Sequence, residues 1–234
     1  MGIPVCNIGE SGSGKTATMR NCDPNVLAIF NVADKPLPFR GKFPKMLSTA
    51  DINTIIAVLK KNTTNMYVID DSQYLMSFKL IDKLNETGYA KYTEIAKDFK
   101  RLIDTITKET SPDTIVYLFH HTDKDEDGVV RAKTSGQLIN KWLTFEGLFS
   151  IVLMTKAYEN KHVIVTQSDG TSTVKTPMGM FDEPEIDNDL TLVDKAIREY
   201  YELAPAGVRN VKPTEQPKQQ AKTDVKTVNK VPAA

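Results

Sequence analysis

The residues near the amino end carry the clearest chemistry in the chain. The segment GESGSGKT fits the pattern G-x-x-x-x-G-K-[ST] of a loop that binds phosphate groups through main-chain amides. Glycine is needed because consecutive N–H groups must turn toward one anion without side chains in the way. We therefore predict a phosphate loop formed by Gly9, Glu10, Ser11, Gly12, Ser13, Gly14, Lys15 and Thr16.

Two side chains of this predicted phosphate loop have expected roles in nucleotide chemistry. Lys15 is predicted to reach the β- and γ-phosphates, and the Thr16 hydroxyl is predicted to hold Mg²⁺. The loop follows a short apolar segment, residues 3–8, and precedes the helix-forming residues 17–20. The motif needs a strand before it and a helix after it, because the amino end of a helix adds positive potential.

A second group of acidic residues follows a later apolar segment. Residues 66–69 read as a strand buried on both faces, and Asp70 and Asp71 follow at its carboxyl end. Ligands of open parallel sheets bind beyond these ends. Asp70 is predicted to hold Mg²⁺ through water, and Asp71 is a candidate to orient or activate the attacking water. In the alternative register, Asp71 holds the metal and Asp70 is structural.

Two histidines end another apolar strand, residues 114–119. A polar residue at the tip of a strand beside the phosphates can sense the γ-phosphate, and a neutral imidazole can donate one hydrogen bond there. His121 is the favoured candidate for this role, and His120 is the weaker one. A solvated loop histidine is the alternative. Zinc ligation lacks partners, because the two cysteines, Cys6 and Cys22, form no CxxC pair.

The remaining pattern supplies the elements that must position these residues. Apolar residues spaced by three and four predict amphipathic helices, and continuous apolar runs predict buried strands. An Asp-Gly pair at 127–128 is typical of a hairpin or loop. A capping box, Thr191 to Asp194, is expected to open the last helix. The predicted helices are 51–60, 73–84, 91–109 and 191–203, and the further strands are 26–32, 147–155 and 161–167.

Composition excludes several classes of protein. The 234 residues include 30 basic and 30 acidic side chains, so the whole chain is not a basic nucleic-acid binder. No apolar run exceeds five residues, which is too short to span a membrane. No secretion signal is apparent, and two cysteines cannot form a disulfide framework, so a reducing cytoplasm is expected.

We predict one folded domain over residues 1–203. The remaining segment, 204–234, is rich in Pro, Lys and Gln, and it carries six basic against two acidic side chains. It has too few large apolar residues to offset the entropy of ordering, so disorder is expected. A more specific hypothesis is that the excess positive charge of this segment attracts nucleic acid weakly.

Several motifs together resemble those of a known family. The order of elements is similar to the RecA-like ATPase core, and it resembles more closely the phage-encoded, core-only Sak-type single-strand annealing ATPases. The segments that carry this resemblance are GESGSGKT at 9–16, KPLPFRG at 35–41, VIDDSQYLM at 68–76, HHTD at 120–123, VKTPMGMF at 174–181 and IDNDL at 186–190.

The resemblance implies an α/β fold, namely a RecA-like P-loop core. Its central sheet is mostly parallel and flanked by helices, with C-terminal β-hairpins and a final helix. The resemblance also implies ATP and Mg²⁺ as cofactors, ATPase activity, and DNA recombination or annealing in the cytoplasm of an infected bacterium. Single-stranded DNA, a single-strand-binding protein and further copies of the chain are the implied partners. The loops 84–92 and 122–136 are the implied DNA contacts.

Three further roles come only from this resemblance. Asp34 matches the position of a catalytic glutamate and is shorter by one methylene, so either Asp34 or Asp71 is the base. His121 stands where such enzymes place glutamine, and Lys175 is the candidate to act across a subunit contact. Two alternative functions remain open: a small-molecule kinase, although no arginine cluster suggests a lid, and an ATP-dependent regulatory switch that does not bind DNA.

Overall fold

The computed structural model describes residues 1–135, 144–159 and 161–209. Nine strands occur in these residues, and their carboxyl ends determine where the predicted site forms. Their bounds are β1 Ile3–Gly9, β2 Ala28–Asn31, β3 Met46–Ser48, β4 Met66–Asp70, β5 Ile115–Lys124, β6 Val130–Ala132, β7 Ile151–Tyr158, β8 Lys161–Val165 and β9 Glu185–Asp187.

The strands form a sheet in the order β3-β2-β4-β5-β1-β7-β8-β9, and β6 pairs with the end of β5. The first six strands of this order run parallel. The last pairs, β7–β8 and β8–β9, are antiparallel. The predicted α/β fold with a mostly parallel sheet and a C-terminal hairpin is therefore confirmed. In this strand order, β5 lies between β1 and β4.

The central strands are mostly apolar because helices cover both faces of the sheet. All five residues of β4 are buried, and so are the first six of β5. Alternate side chains point to opposite faces: Tyr67 and Ile69 join one core, and Val68 joins the other. The continuous apolar pattern thus results from two cores that share one sheet.

Three helices cover one face of the sheet: α1 Ile52–Lys61, α2 Tyr74–Asp82 and α3 Ala90–Glu109. They confirm the predicted helices 51–60, 73–84 and 91–109. Asp51 caps α1, since its side chain accepts hydrogen bonds from the backbone N–H groups of Asn53 and Thr54. Four α3 residues spaced by three and four, Ile95, Phe99, Leu102 and Ile106, are buried, and Tyr92 at the start of this series is half-buried.

The opposite face is covered by α4, Leu190–Tyr200, and by a short 3₁₀ helix, Thr16–Asn21. The helix expected after the predicted phosphate loop is a six-residue 3₁₀ helix. One local prediction is wrong here. The predicted capping box does not form, because Asp189 caps α4 by accepting from Thr191 N–H, while Asp194 lies buried inside the helix.

The carboxyl-terminal boundary of the domain also differs from the prediction. Residues 204–209 pack against the domain: Gly207 N–H donates to Asn65 Oδ1 at 2.7 Å, and Val208 pairs with Thr64. The folded part therefore reaches Arg209 instead of ending at Leu203. The rest of the predicted tail, 210–234, lies outside the described residues. No helix in the described part of the chain combines the length and apolar character needed to cross a membrane.

Candidate functional site

The predicted site residues meet at the carboxyl ends of β1, β4 and β5. A cavity of about 400 Å³ opens there. Five residues of the predicted phosphate loop line it: Ser11, Gly12, Gly14, Lys15 and Thr16. Three residues from the neighbouring strand ends face them: Asp70, Asp71 and His121. Gly9, Glu10 and Ser13 lie on the other side of the loop, where a smaller cavity of about 250 Å³ opens.

The backbone of the predicted phosphate loop requires its glycines. Gly12 and Gly14 have φ angles of 78° and 98°, a region that side chains disfavour. A Cβ on Gly14 would also lie 2.9 Å from His162 Nδ1 and from Asn188 Nδ2. A Cβ on Gly9 would lie 2.6 Å from the Ser13 hydroxyl oxygen. A side chain would therefore not fit at Gly9 or Gly14, whereas at Gly12 only the backbone angle disfavours one, since nothing lies within 4 Å of it.

Lys15 is buried, with 6% of its surface exposed. Its ammonium donates hydrogen bonds to the carbonyls of Gly9 and Glu10, at 2.8 Å each. Burial lowers the pKa of Lys15 to about 8, against the opposing effect of the nearby Asp71 and Asp70 charges. At neutral pH the cavity therefore contains a buried ammonium group whose hydrogen-bond acceptors are main-chain carbonyls, and this group can attract an anion.

Thr16 and Asp70 are joined across the cavity. The Thr16 hydroxyl donates to the Asp70 carboxylate, at 2.9 Å from Oδ1 and 3.0 Å from Oδ2. Asp70 is 6% exposed, and burial, followed by the charge of Asp71, raises its pKa to about 6. Within the described residues, no group of three or more His, Cys, Asp or Glu side chains could hold a metal. Mg²⁺ bound with phosphates takes only one or two protein oxygens, so a hydroxyl and a carboxylate fit it.

Asp71 has two partners from different elements. Lys35 Nζ donates to Oδ2 at 2.9 Å, and His121 Nε2 donates to Oδ1 at 3.0 Å. Burial alone would raise the pKa of Asp71, but the hydrogen bonds and charges of His121 and Lys35 lower it to about 2. Asp71 has a φ angle of 59°, which turns the chain sharply after β4. Asp71 is therefore ionised and fixed in orientation.

The two neighbouring histidines have different environments. His120 is completely buried: Nε2 donates to the Lys133 carbonyl at 2.7 Å, and Nδ1 accepts from the Ser72 hydroxyl at 2.9 Å. Burial lowers the pKa of His120 to about 3, so this ring is neutral and structural. His121 lines the cavity, and its ring meets the edge of Tyr74 with centroids 6.0 Å apart. His121, the favoured candidate, lines the cavity and His120 does not, while a γ-phosphate sensor role for His121 stays a prediction.

Two polar residues of the cavity were not among the predicted site residues. Lys35 follows β2, whose carboxyl end lies on the same edge of the sheet, so its position could have been inferred from the strand order. His162 is the second residue of β8, and its Nδ1 donates to the Ser13 carbonyl at 2.8 Å. Its position depends on the register of an antiparallel hairpin, which no local sequence pattern reveals.

Two predicted residues, Asp34 and Lys175, line neither of these two cavities. Asp34 lies in the turn after β2 with a φ angle of 52°, and its side chain is exposed. Lys175 is exposed, and its backbone pairs with Val152, which is opposite Cys6 in the middle of β1. A role for Asp34 in catalysis and a role for Lys175 across a subunit contact both stay predictions.

A comparison of the chain with models of known protein families finds no match, and no curated protein matches it. The chemistry of this site therefore has to be argued from its own residues. They combine a glycine-dependent loop, a buried ammonium group, a hydroxyl–carboxylate pair and a fixed carboxylate at one end of a parallel sheet. This arrangement can hold a phosphate chain and one divalent cation next to an oriented acceptor.

Proposed function

We propose that this chain is a magnesium-dependent ATPase with a RecA-like P-loop core, acting on single-stranded DNA in phage recombination and annealing. One observation carries the nucleotide part of the proposal: Lys15, Thr16 and Asp70 line the same cavity of about 400 Å³, although 54 residues separate Thr16 from Asp70. A chance glycine-rich turn would have no reason to face a buried carboxylate.

Each residue then has a defined task. The amides of the loop and Lys15 bind the β- and γ-phosphates. Thr16 and Asp70 hold Mg²⁺, which supplies positive charge to the phosphate oxygens when it is bound. Asp71 accepts a hydrogen bond from the attacking water and orients it, and His121 fixes Asp71. A carboxylate with a pKa near 2 is a weak base, so orientation is the larger part of its contribution.

The strand order supports the RecA-like assignment. β5 is inserted between β1, which leads into the loop, and β4, which ends in Asp70. The polar tip of β5 therefore lies between the two halves of the proposed site, and His121 extends from this tip to Asp71. This is the position expected for a residue that senses the γ-phosphate.

The DNA part of the proposal depends on the family resemblance and on one structural connection. β5 continues past His121 into a hairpin with β6, in which Thr122 pairs with Ala132. This hairpin carries Lys124 and Arg131, although Asp125 forms a salt bridge with Arg131. In the other implied DNA loop, Tyr89 is 73% exposed and available for stacking on a base.

Calorimetry with Mg²⁺ and ATP tests the nucleotide part first. We expect binding that requires Mg²⁺, followed by ATP turnover that increases when single-stranded DNA is added. If no nucleoside triphosphate binds in a magnesium-dependent manner, the ATPase proposal is wrong.

A gel shift at about 50 mM salt, where phosphate contacts are strongest, tests the DNA part. Binding of ATP without DNA binding in any nucleotide state would leave an ATPase or switch that does not handle DNA. Light scattering with and without ATP tests the expected assembly into oligomers. Addition of a single-strand-binding protein to the annealing reaction tests that partner.

A further inference from the structure

Lys35 opens the KPLPFRG segment but has no role assigned from the sequence, yet it reaches into the proposed nucleotide site. It comes from the proline-containing segment after β2 and lines the same cavity as Lys15. Its ammonium lies 2.9 Å from Asp71 Oδ2 and 5.2 Å from the centre of the Tyr74 ring. The Lys35 side chain is 57% exposed, so it can change position without disturbing the core.

Asp71 does not depend on Lys35 as its only hydrogen-bond donor. Asp71 accepts a second hydrogen bond, from His121, on its other oxygen. If Lys35 moved away, Asp71 would still have one partner and would not become an unpaired buried charge. Lys15 differs, because its ammonium is buried and held by two main-chain carbonyls of the loop itself.

A terminal phosphate in the cavity would offer Lys35 a stronger partner than one carboxylate oxygen. Phosphate oxygens form charge-assisted hydrogen bonds with ammonium groups, and a flexible lysine acts as a mobile point charge. A diphosphate ends one group short, so it would leave Lys35 on Asp71. The exchange therefore depends on the length of the phosphate chain.

We propose that Lys35 distinguishes nucleoside triphosphate from diphosphate by moving from Asp71 to the terminal phosphate. This inference builds on the proposed function of the same site. It adds a consequence for the reaction: when Lys35 leaves, Asp71 Oδ2 is free to accept a hydrogen bond from water, while Oδ1 stays fixed by His121. Binding of a terminal phosphate thus frees the carboxylate oxygen that orients the water. Only hydrogen bonds change in this step, and no covalent bond is made or broken.

The test compares the affinities of a non-hydrolysable ATP analogue and of ADP, both with Mg²⁺, by calorimetry. Lys35→Ala is expected to weaken binding of the analogue about tenfold, as expected for one lost charge-assisted hydrogen bond. The affinity for ADP is expected to change less than about twofold. Lys42→Ala is the matched control, because Lys42 belongs to the same segment, is exposed and does not line the cavity. It should change neither affinity.

A second variant separates ligand binding from mere loss of a salt bridge. Asp71→Asn releases Lys35 from its carboxylate, so it should strengthen binding of the analogue, and the gain should disappear in the Asp71→Asn, Lys35→Ala double variant. If Lys35→Ala lowered the affinities for the analogue and for ADP equally, or changed neither, this inference would be wrong, but the proposed function would still stand. Absence of binding to the unmodified protein would overturn the proposed function, and this inference with it.

Discussion

The two ends of the parallel strands contain different kinds of charged groups. At the amino ends of β4 and β5, the Arg198 guanidinium donates to Asp194 Oδ2 at 2.6 Å and to the carbonyls of Asn65, Asp113 and Ala204. Tyr117 donates to the other oxygen of Asp194 at 2.9 Å. At the carboxyl ends, Lys15 and Lys35 have partners that a ligand could replace.

This comparison shows why cavity size alone does not identify a functional site. The cavity beside Arg198 measures about 490 Å³ and is larger than the one beside Lys15, at about 400 Å³. Its guanidinium is already bound to four partner groups of the chain, so little is left to attract an anion. The smaller cavity contains a buried ammonium that only carbonyls hold. The availability of the charge, and not the volume, favours the smaller cavity.

The largest expected effect concerns the network at the amino ends of the strands. Arg198→Ala leaves Asp194 buried with no cation, so we expect the free energy of unfolding to fall by about 3–5 kcal/mol. Chemical denaturation measures this change. Lys195→Ala on the same helix is the control, since its side chain is 71% exposed. If the stability of Arg198→Ala were unchanged, the Arg198 network at the amino ends of the strands would not be a structural one.

Lys15→Ala is the corresponding change at the proposed nucleotide site. We expect nucleotide affinity to fall about 100-fold, because a charge-assisted contact with phosphate is lost. Stability should be retained, since the substitution removes an ammonium that is costly to bury. Calorimetry and thermal denaturation measure the two quantities. Nucleotide binding that survived this substitution would exclude the predicted phosphate loop as the binding site.

His120 and His121 are adjacent but differ in environment, since His120 is buried and His121 lines the cavity. They therefore allow a second test of the comparison between structural and available groups. Buried His120 has a folded pKa near 3, below its ordinary value near 6.5, so the unfolded chain binds more protons between these pH values. Stability due to neutral His120 is present above pH 6.5 and is lost as the pH falls. We expect a loss of about 2 kcal/mol between pH 7 and pH 5.

The measurement is the pH dependence of the free energy of unfolding, compared with that of His120→Gln. The variant should lose this part of the pH dependence, whatever its stability at pH 7. His121→Gln should keep it, because the buried ring is unchanged. If both variants showed the same pH dependence as the unmodified chain, His120 would not be a neutral structural residue.

Much of the site could be predicted because its signals are local. The residues of the predicted phosphate loop are contiguous, and Asp70, Asp71 and His121 each follow a strand that is apolar on both faces. Parallel strands bring such ends to one edge, so these residues meet in the structure. His162 could not be found in this way, since it enters through the pairing of β8 with β7.

The differences between the predicted and the observed fold also result from long-range contacts. The 3₁₀ helix after the predicted phosphate loop is fixed at its far side by Arg20 and Asn21, which bind Asn188 and Asp189 from the segment before α4. Asp194 faces inward because Tyr117 and Arg198 bind it. Low apolar content led to a boundary at Leu203, but residues 204–209 are held mainly by polar contacts, which composition does not reveal.

The smallest expected effect tests that boundary. Arg209 forms a salt bridge with Asp113 and donates to the Thr114 hydroxyl at 3.1 Å and to the Thr64 carbonyl at 3.2 Å. Its side chain and that of Asp113 are 22% and 26% exposed, so Arg209→Ala should lower the free energy of unfolding by about 1 kcal/mol. Denaturation of this variant, with exposed Arg40→Ala as the control, measures the change. A loss equal to that of the control would mean that the polar contacts of Arg209 do not hold the chain end to the domain. A larger loss would extend the structural network of Arg198 to the last described residue, because Arg209 and Arg198 both bind Asp113.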